Sequence, residues 1–191
     1  MERAMMTFIC GGVRSGKSKF GEELAEKEVD RDGRLIYIAT SKITDEEMKS
    51  RVDEHQARRE ESARSWETIE KAKNLHECVP LVTKKDTVFL DCVTTWLSNE
   101  LFYSESSVQD ALPVDDVGER MMNVTIDLKK KSRHLILISN DIFQEPVPDD
   151  PFVYQYMAVL GRLHQQLIRL AGKAYMVEHD IPLLMKGRNK Q

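Results

Sequence analysis

The clearest chemical signal in this sequence is a short glycine-rich segment near its start. Residues 11–18 read Gly-Gly-Val-Arg-Ser-Gly-Lys-Ser and fit the pattern G-x-x-x-x-G-K-[ST]. In this pattern the backbone N–H groups point inward at phosphate groups, and the following helix adds partial positive charge. Lys17 would reach the β- and γ-phosphate oxygens, and Ser18 would ligate Mg²⁺. We predict a triphosphate site at Gly11, Gly12, Val13, Arg14, Ser15, Gly16, Lys17 and Ser18.

The sequence on either side of this segment supports the prediction. The apolar run Thr7 to Cys10 precedes it, and a helical pattern follows from Ser18. The alternative is an ordinary glycine-rich turn between a strand and a helix that carries Lys-Ser by chance. A strand before the segment and a helix after it are what a phosphate-binding loop (P-loop) requires, so the context favours the functional interpretation.

A P-loop needs an acidic partner at the end of a neighbouring strand, where it helps to hold the metal. Asp91 ends the apolar run Thr87 to Leu90 and is our candidate for this role, together with Ser18. An acid after a strand is also a common turn or helix cap, and that alternative stays open. Asp141, after Leu135 to Asn140, is the second candidate.

One histidine has a distinctive setting. Arg51, His55 and Arg59 are spaced by four in a helical pattern, and Arg58 lies three residues beyond His55. Neighbouring cations would keep the imidazole neutral, and the arginines could bind phosphate oxygens, so His55 is a potential nucleophile. The alternative is a solvated charged helix in which His55 has no role. The other histidines have no comparable neighbours, and we interpret His76, His134, His164 and His179 as structural.

The elements that must position these residues alternate along the chain. Short apolar runs predict buried strands, and longer amphipathic segments predict helices. The predicted strands are Thr7 to Cys10, Leu35 to Ala39, Thr87 to Asp91, Leu135 to Ser139 and Ala174 to Val177, followed by an antiparallel edge strand at Leu183 to Met185. The predicted helices are Ser18 to Val29, Thr44 to Glu61 with a Thr44/Glu47 capping box, Asp115 to Lys131 and Phe152 to Ala171, with shorter ones after Glu70 and Val93.

This order predicts an α/β fold of three layers, the P-loop NTPase fold of RecA-like type, with a mostly parallel central sheet and an antiparallel C-terminal edge. The polar stretches Ser104 to Asp116 and Gln144 to Pro151 are predicted surface loops. A length of 191 residues suits a single domain over 1–191. No repeat of fixed period is present.

Composition narrows the function classes. The chain is 41% hydrophobic and 31% charged with a net charge of −4, which argues against a general nucleic-acid or membrane surface and favours small-molecule partners. Its three cysteines are widely spaced and form no CxxC pair, as expected in a reducing compartment. No stretch has the length or character of a signal peptide or a membrane span. We expect a cytoplasmic protein.

Taken in order, several stretches make the chain resemble the bifunctional adenosylcobinamide kinase and adenosylcobinamide-phosphate guanylyltransferase family of cobalamin biosynthesis. The resemblance covers almost the whole chain. Its stretches are residues 11–18, Tyr37 to Ser41, Arg51 to His55 with Arg59, Trp66 to Glu70, Asp91 to Asn99, and Gly161 to Gln165.

The resemblance implies two reactions at one nucleotide site. In the first, ATP or GTP would phosphorylate the hydroxyl of the aminopropanol arm of adenosylcobinamide. In the second, His55 would attack the α-phosphorus of GTP and pass GMP to adenosylcobinamide phosphate. The implied catalytic residues are His55 and Lys17, and the implied assembly is a homo-oligomer, by resemblance a trimer. Besides the P-loop, the implied nucleotide contacts are Ala39, Thr40, Ser41, Arg51, Gln56, Ala57, Arg58, Arg59, Glu70 and Asp91.

One segment departs from the family pattern. Where the family commonly has a glycine-rich stretch after Asn-Glu, residues 140–148 read Asn-Asp-Ile-Phe-Gln-Glu-Pro-Val-Pro, without glycine and with Asp141 in place of Glu. Substrate choice, or one of the two activities, could therefore differ here. Two other functions stay open: a P-loop kinase of another small metabolite that does not use His55, and a nucleotide-dependent switch module. No Asn-Lys-x-Asp guanine-reading signature supports the switch.

Overall fold

A computed structural model describes residues 4–42, 46–62, 64–102, 114–144 and 149–188. Its described residues form a seven-stranded sheet with helices on both faces. The strands are β1 (Met5–Gly11), β2 (Leu35–Ala39), β3 (Trp66–Glu70), β4 (Thr87–Asp91), β5 (His134–Asn140), β6 (Lys173–Glu178) and β7 (Ile181–Lys186). The helices are α1 (Lys17–Glu28), α2 (Glu46–Glu60), α3 (Val93–Phe102), α4 (Val114–Lys131) and α5 (Pro151–Leu170), with a 3₁₀ helix at Leu75–Leu81.

The sheet order is β3-β2-β4-β5-β1-β6-β7. Every neighbouring pair is parallel except β6 and β7, which are antiparallel. The predicted α/β class, the mostly parallel sheet and the antiparallel C-terminal edge are therefore confirmed. Because parallel strands point the same way, the carboxyl ends of β1, β2 and β4 lie at one edge of the sheet, and this edge carries the predicted site.

Each face of the sheet has its own apolar core. On one face, Ala25 of α1 and Val29, the residue after that helix, pack with Phe89 and Ile136. On the other face, Trp96, Leu160 and other residues of α3, α4 and α5 cover the remaining side chains of the same strands. The central strands are buried on both sides, which explains why their sequences are nearly continuous apolar runs. No helix among the described ranges has the length and apolar character needed to cross a membrane.

Strand β3 was missed by the sequence prediction. It pairs in parallel with β2, at the outer edge of the sheet, and most of its residues are exposed or half-buried. Trp-Glu-Thr-Ile-Glu is short and largely polar because an edge strand with so little burial does not need an apolar run.

The predicted loops are only partly described. Residues 103–113 and 145–148 lie outside the described residues, as does Thr44 of the predicted capping box. The stretch predicted as a loop up to Asp116 is wrong at its end, since α4 begins at Val114. The other stretch is also wrong at its end: Pro151 is the first residue of α5, and the Asp150 carboxylate caps that helix by accepting hydrogen bonds from the backbone N–H groups of Phe152 and Val153.

Two of the histidines interpreted as structural are buried. Nε2 of His134 lies 2.9 Å from the Thr7 hydroxyl, and Nδ1 has no hydrogen-bond partner among the described residues. Burial, together with the charges of Lys173 and Arg133, lowers the pKa of His134 to about 4. Burial also lowers the pKa of His164 to about 4, although Asp141 opposes the shift. Both side chains are therefore neutral at pH 7 in the folded protein.

Because these two histidines are buried and neutral, we predict that acid lowers the stability of the folded protein over a defined pH range. Between the unfolded pKa near 6.5 and the folded pKa of about 4, the unfolded chain binds more protons, so stability is complete above pH 6.5 and is lost as the pH falls toward 4. From pH 7 to pH 5 each histidine should remove about 2 kcal/mol of unfolding free energy. Urea denaturation of the wild type, His164→Gln and exposed His76→Gln at both pH values measures the effect. Only His164→Gln should flatten the pH dependence, and equal slopes for all three would contradict the assignment.

Candidate active site

The P-loop lies between β1 and α1, as its motif requires. Gly16 precedes α1 with φ 90°, and Arg14 is also left-handed at φ 59°. The Lys17 ammonium donates a hydrogen bond to the Gly12 carbonyl at 3.0 Å, which folds the side chain back across the loop. The loop thus lies between a strand and a helix N-terminus, as a phosphate cradle requires, and Lys17 lies across it.

The P-loop forms part of a cleft of about 1000 Å³. Of the predicted site residues, those lining the cleft are Val13, Arg14, Ser15, Gly16, Lys17, Ser18, Ala39, Ser41, Gln56, Arg59, Glu70 and Asp91. Four other predicted site residues are not among its lining residues: Gly11, Gly12, Thr40 and Ala57. The cleft therefore brings together the ends of β1, β2, β3 and β4 with part of α2.

Asp91 is held at the floor of this cleft. It is the last residue of β4, and its Oδ2 accepts a hydrogen bond from the Tyr37 hydroxyl at 2.8 Å. Burial, followed by the Asp91 charge, raises the pKa of Tyr37 well above its ordinary value, so the phenol remains a donor. Asp91 thus has a fixed carboxylate facing the cleft, as expected of the acidic partner of a P-loop.

Asp141, the second candidate for this role, is placed differently. Its carboxylate accepts hydrogen bonds from the Phe143 backbone N–H at 3.1 Å and the Gln144 side chain at 3.0 Å. The residue that lines the cleft from this strand is its neighbour Asn140. Asp141 therefore organises the loop after β5, and the structure favours Asp91.

Thr40 stabilises the backbone that carries Asp91. Its side chain is fully buried, and its hydroxyl lies 2.9 Å from the carbonyl oxygens of both Asp91 and Cys92, which share its single proton, while accepting from the Cys92 N–H. The Asn99 amide in turn donates to the Thr40 carbonyl at 2.7 Å. The hydroxyl of Thr40, a residue that the family resemblance implies as a nucleotide contact, is thus used within the protein, where it fixes the chain that carries Asp91.

Arg59 is a second buried cation of the cleft, besides Lys17. Its guanidinium lies 3.8 Å from the centre of the Tyr37 ring, and Nη1 lies 3.6 Å from Oε1 of Glu22. Nη1 is buried and has no hydrogen-bond partner among the described residues. A buried guanidinium with a spare donor is suited to an anionic group such as a phosphate, and the stack on Tyr37 limits its movement.

His55, Arg51 and Arg58 belong to the same helix, α2. The structure describes their backbone, whereas their side chains lie outside what it describes. His55 is one helical turn before Arg59, and Val52, Glu54 and Gln56 of the same helix line the cleft. The helix that carries the predicted nucleophile is therefore a wall of the nucleotide cleft.

The donors in the cleft fit magnesium. Mg²⁺ prefers oxygen ligands and keeps several waters, so it needs only one or two protein oxygens beside the phosphates. The Ser18 hydroxyl and the Asp91 carboxylate both line the cleft and are of this kind. No cluster of three or more His, Cys, Asp or Glu side chains that could hold a metal occurs in the described ranges.

Sequence reasoning missed several cleft residues. Tyr37 and Glu22 orient Arg59, and Lys71, Asn140 and Asp180 line the cleft. Tyr37 could have been suspected, because it lies in the predicted strand that leads directly to the implied contacts Ala39, Thr40 and Ser41. Asp180 gave no such signal, because it lies far along the chain in a turn between two strands.

Comparison with known proteins identifies the family of the chain. Residues 7–185 match the family described as cobinamide kinase / cobinamide phosphate guanyltransferase. The bifunctional adenosylcobalamin biosynthesis protein CobU of Escherichia coli is 30% identical over 95% of this chain and 100% of the relative. CobP of Pseudomonas aeruginosa, with the same description, is 30% identical over 96% of this chain and 98% of the relative.

Among solved structures, the flagellar accessory protein FlaH of Methanocaldococcus jannaschii matches with a TM-score of 0.48 and 16% identity, covering 98% of this chain and 80% of that one. The family match spans both the P-loop and the helix of His55. The chain belongs to the cobinamide kinase / cobinamide phosphate guanyltransferase family.

Proposed function

We propose that this protein, acting as a single domain over residues 1–191, carries out both reactions of its family. In the kinase reaction the hydroxyl of adenosylcobinamide attacks the γ-phosphorus of ATP or GTP, and the bond to the β,γ-bridging oxygen breaks. Lys17 and the inward-pointing N–H groups of the P-loop stabilise the charge that moves onto that oxygen. Mg²⁺, held by Ser18 and Asp91, would supply further charge neutralisation.

In the second reaction, a ring nitrogen of His55 attacks the α-phosphorus of GTP and pyrophosphate leaves. A phosphate oxygen of adenosylcobinamide phosphate then attacks the same phosphorus, which releases His55 and gives adenosylcobinamide-GDP. Arg59, held against Tyr37 and Glu22, is suited to bind a phosphate oxygen during both steps.

One observation carries the proposal: the P-loop and α2 line the same cleft. A kinase needs only the P-loop, Lys17 and an acidic partner. A covalent nucleotidyl transfer also needs a nucleophile next to the triphosphate, and α2 supplies residues both before and after His55 to the cleft wall.

The proposal extends to compartment and assembly. We propose a cytoplasmic enzyme that forms homo-oligomers, by family resemblance trimers. Exposed apolar side chains on the outermost strand β7, namely Ile181, Leu183 and Met185, support self-association.

The decisive experiment follows the γ-phosphorus and the α-phosphorus of GTP separately. Purified protein is incubated with Mg²⁺ and adenosylcobinamide, using GTP labelled at either the γ- or the α-phosphorus. Label from the γ-position should appear in a corrinoid phosphate, and label from the α-position should appear on the denatured protein as an acid-labile, base-stable adduct. Transfer of γ-label without any protein-bound α-label would leave a plain small-molecule kinase as the better account.

A further inference from the structure

Asp180 connects a distant part of the chain to the P-loop. It lies in the tight turn between β6 and β7, where His179 and Asp180 are both left-handed, with φ of 51° and 61°. The backbone N–H of Asp180 donates to the Ser15 carbonyl at 2.9 Å. The turn is therefore fixed against the loop, and the Asp180 side chain starts from a defined position.

The carboxylate itself lies against Gly16. A Cβ placed on Gly16 would fall 1.8 Å from the Asp180 Oδ1 atom, so the two residues are in direct contact and no side chain fits between them. Asp180 also lines the same cleft as Gly16, Lys17 and Lys19. An exposed carboxylate thus lies at the rim of the predicted triphosphate site.

Such a carboxylate would repel the phosphates unless another part of the ligand gives it hydrogen bonds. A carboxylate is an acceptor, so it pairs with N–H and O–H donors. In a nucleoside triphosphate these donors are found on the base and the ribose. The chemistry of Asp180 therefore suits the nucleoside part of the ligand.

The sheet order places Asp180 on the side of β1 where the nucleoside is expected. Asp91 and Asn140 line the cleft from β4 and β5, on one side of β1, and β6 with its turn lies on the other side. A triphosphate in the P-loop with its terminal phosphate toward Asp91 would extend its nucleoside away from those strands, toward the β6–β7 turn.

We propose that Asp180 binds the nucleoside of the nucleotide substrate by accepting hydrogen bonds from its ribose hydroxyls or base N–H groups. The inference rests on the proposed nucleotide site but adds a residue that contacts the nucleoside. Asp180→Asn is the appropriate variant, because asparagine tolerates the left-handed backbone and keeps the N–H bond to Ser15. Asp32→Asn makes the same charge change in the turn before β2, at the opposite edge of the sheet.

The test is equilibrium binding to a His55→Ala background, which needs neither a corrinoid nor a covalent step. Asp180→Asn should weaken GTP binding by about 10- to 100-fold, as expected for loss of a charged acceptor, and leave inorganic tripolyphosphate binding unchanged. Asp32→Asn should change neither. Inosine triphosphate, 2′-deoxy-GTP and 3′-deoxy-GTP test the 2-amino group and the two ribose hydroxyls in turn, because the analogue that lacks the donor should no longer respond to the substitution. A response with all three analogues assigns the donor to the base N1–H.

Two results would overturn the inference. Equal weakening of GTP and tripolyphosphate would mean that Asp180 only shapes the P-loop, and unchanged GTP binding would mean that it makes no contact with the nucleotide. Failure of the wild-type protein to bind GTP at all would instead remove the proposed function, so the two failures are distinguishable.

Discussion

Replacement of His55 by alanine should abolish transfer of GMP to the protein while the γ-phosphoryl transfer to the corrinoid continues. The kinase reaction uses the P-loop and Asp91, and neither lies on α2. The guanylyl reaction loses its nucleophile, and loss of a covalent nucleophile costs about 10⁴-fold or more in rate. Kinase activity should fall by no more than about tenfold, the effect of one altered wall residue.

The measurement compares protein-bound label from α-labelled GTP with corrinoid-bound label from γ-labelled GTP in the same preparation. His76→Ala is the matched control, because His76 is an exposed histidine of the 3₁₀ helix and does not line the cleft. Protein-bound label that persists in His55→Ala, or disappears in His76→Ala, would assign the nucleophile to another residue. Parallel loss of both activities in His55→Ala would indicate that α2 acts on nucleotide binding as a whole.

Replacement of Gly16 by alanine should remove nucleotide binding. Gly16 has φ 90°, a conformation that L side chains rarely adopt, and its new Cβ would collide with Asp180. The turn after β6 or the P-loop itself must then shift, and a displaced loop no longer points its N–H groups at the phosphates. We expect GTP affinity to fall at least about 100-fold and the unfolding free energy to fall by about 1–3 kcal/mol.

Gly118→Ala is the control for this substitution. Gly118 lies inside α4, where a Cβ would meet only Val159 at an ordinary distance of 3.5 Å. Alanine is the better helix former, so this variant should keep full nucleotide affinity and gain about 0.5–1 kcal/mol of stability. Titration with GTP and urea denaturation measure both quantities, and normal GTP affinity in Gly16→Ala would show that the observed loop conformation is not needed for binding.

The parts of the fold that were predictable from sequence are those in which local pattern and burial agree. β2 and β4 are buried on both faces, and their predicted bounds match the structure. The P-loop was also predictable, because its function depends on residues that are adjacent in sequence. β3 was not predictable, because an exposed edge strand forms its hydrogen bonds on one side only and does not need an apolar sequence.

The site was less predictable where contacts depend on the sheet order. Thr40 and Ser41 are adjacent in sequence, but only Ser41 lines the cleft, because the Thr40 hydroxyl is bound to the chain after β4. Arg59 was expected from its helical spacing, whereas its orientation by Tyr37 and Glu22 required the packing of α2 against the sheet. Asp180 meets Gly16 only because β6 lies next to β1.

The position of β5 also affects how the protein acquires its activity during synthesis. The P-loop follows β1 and the acidic partner ends β4, yet these strands are not neighbours, because β5 is inserted between them with Met5 opposite His134. Such long-range pairing forms slowly, since a long loop must close first. A nascent chain that has exposed both the P-loop and Asp91 would still lack the strand that sets their separation, so the capacity to bind a triphosphate should arise late, when residues 134–140 join the sheet.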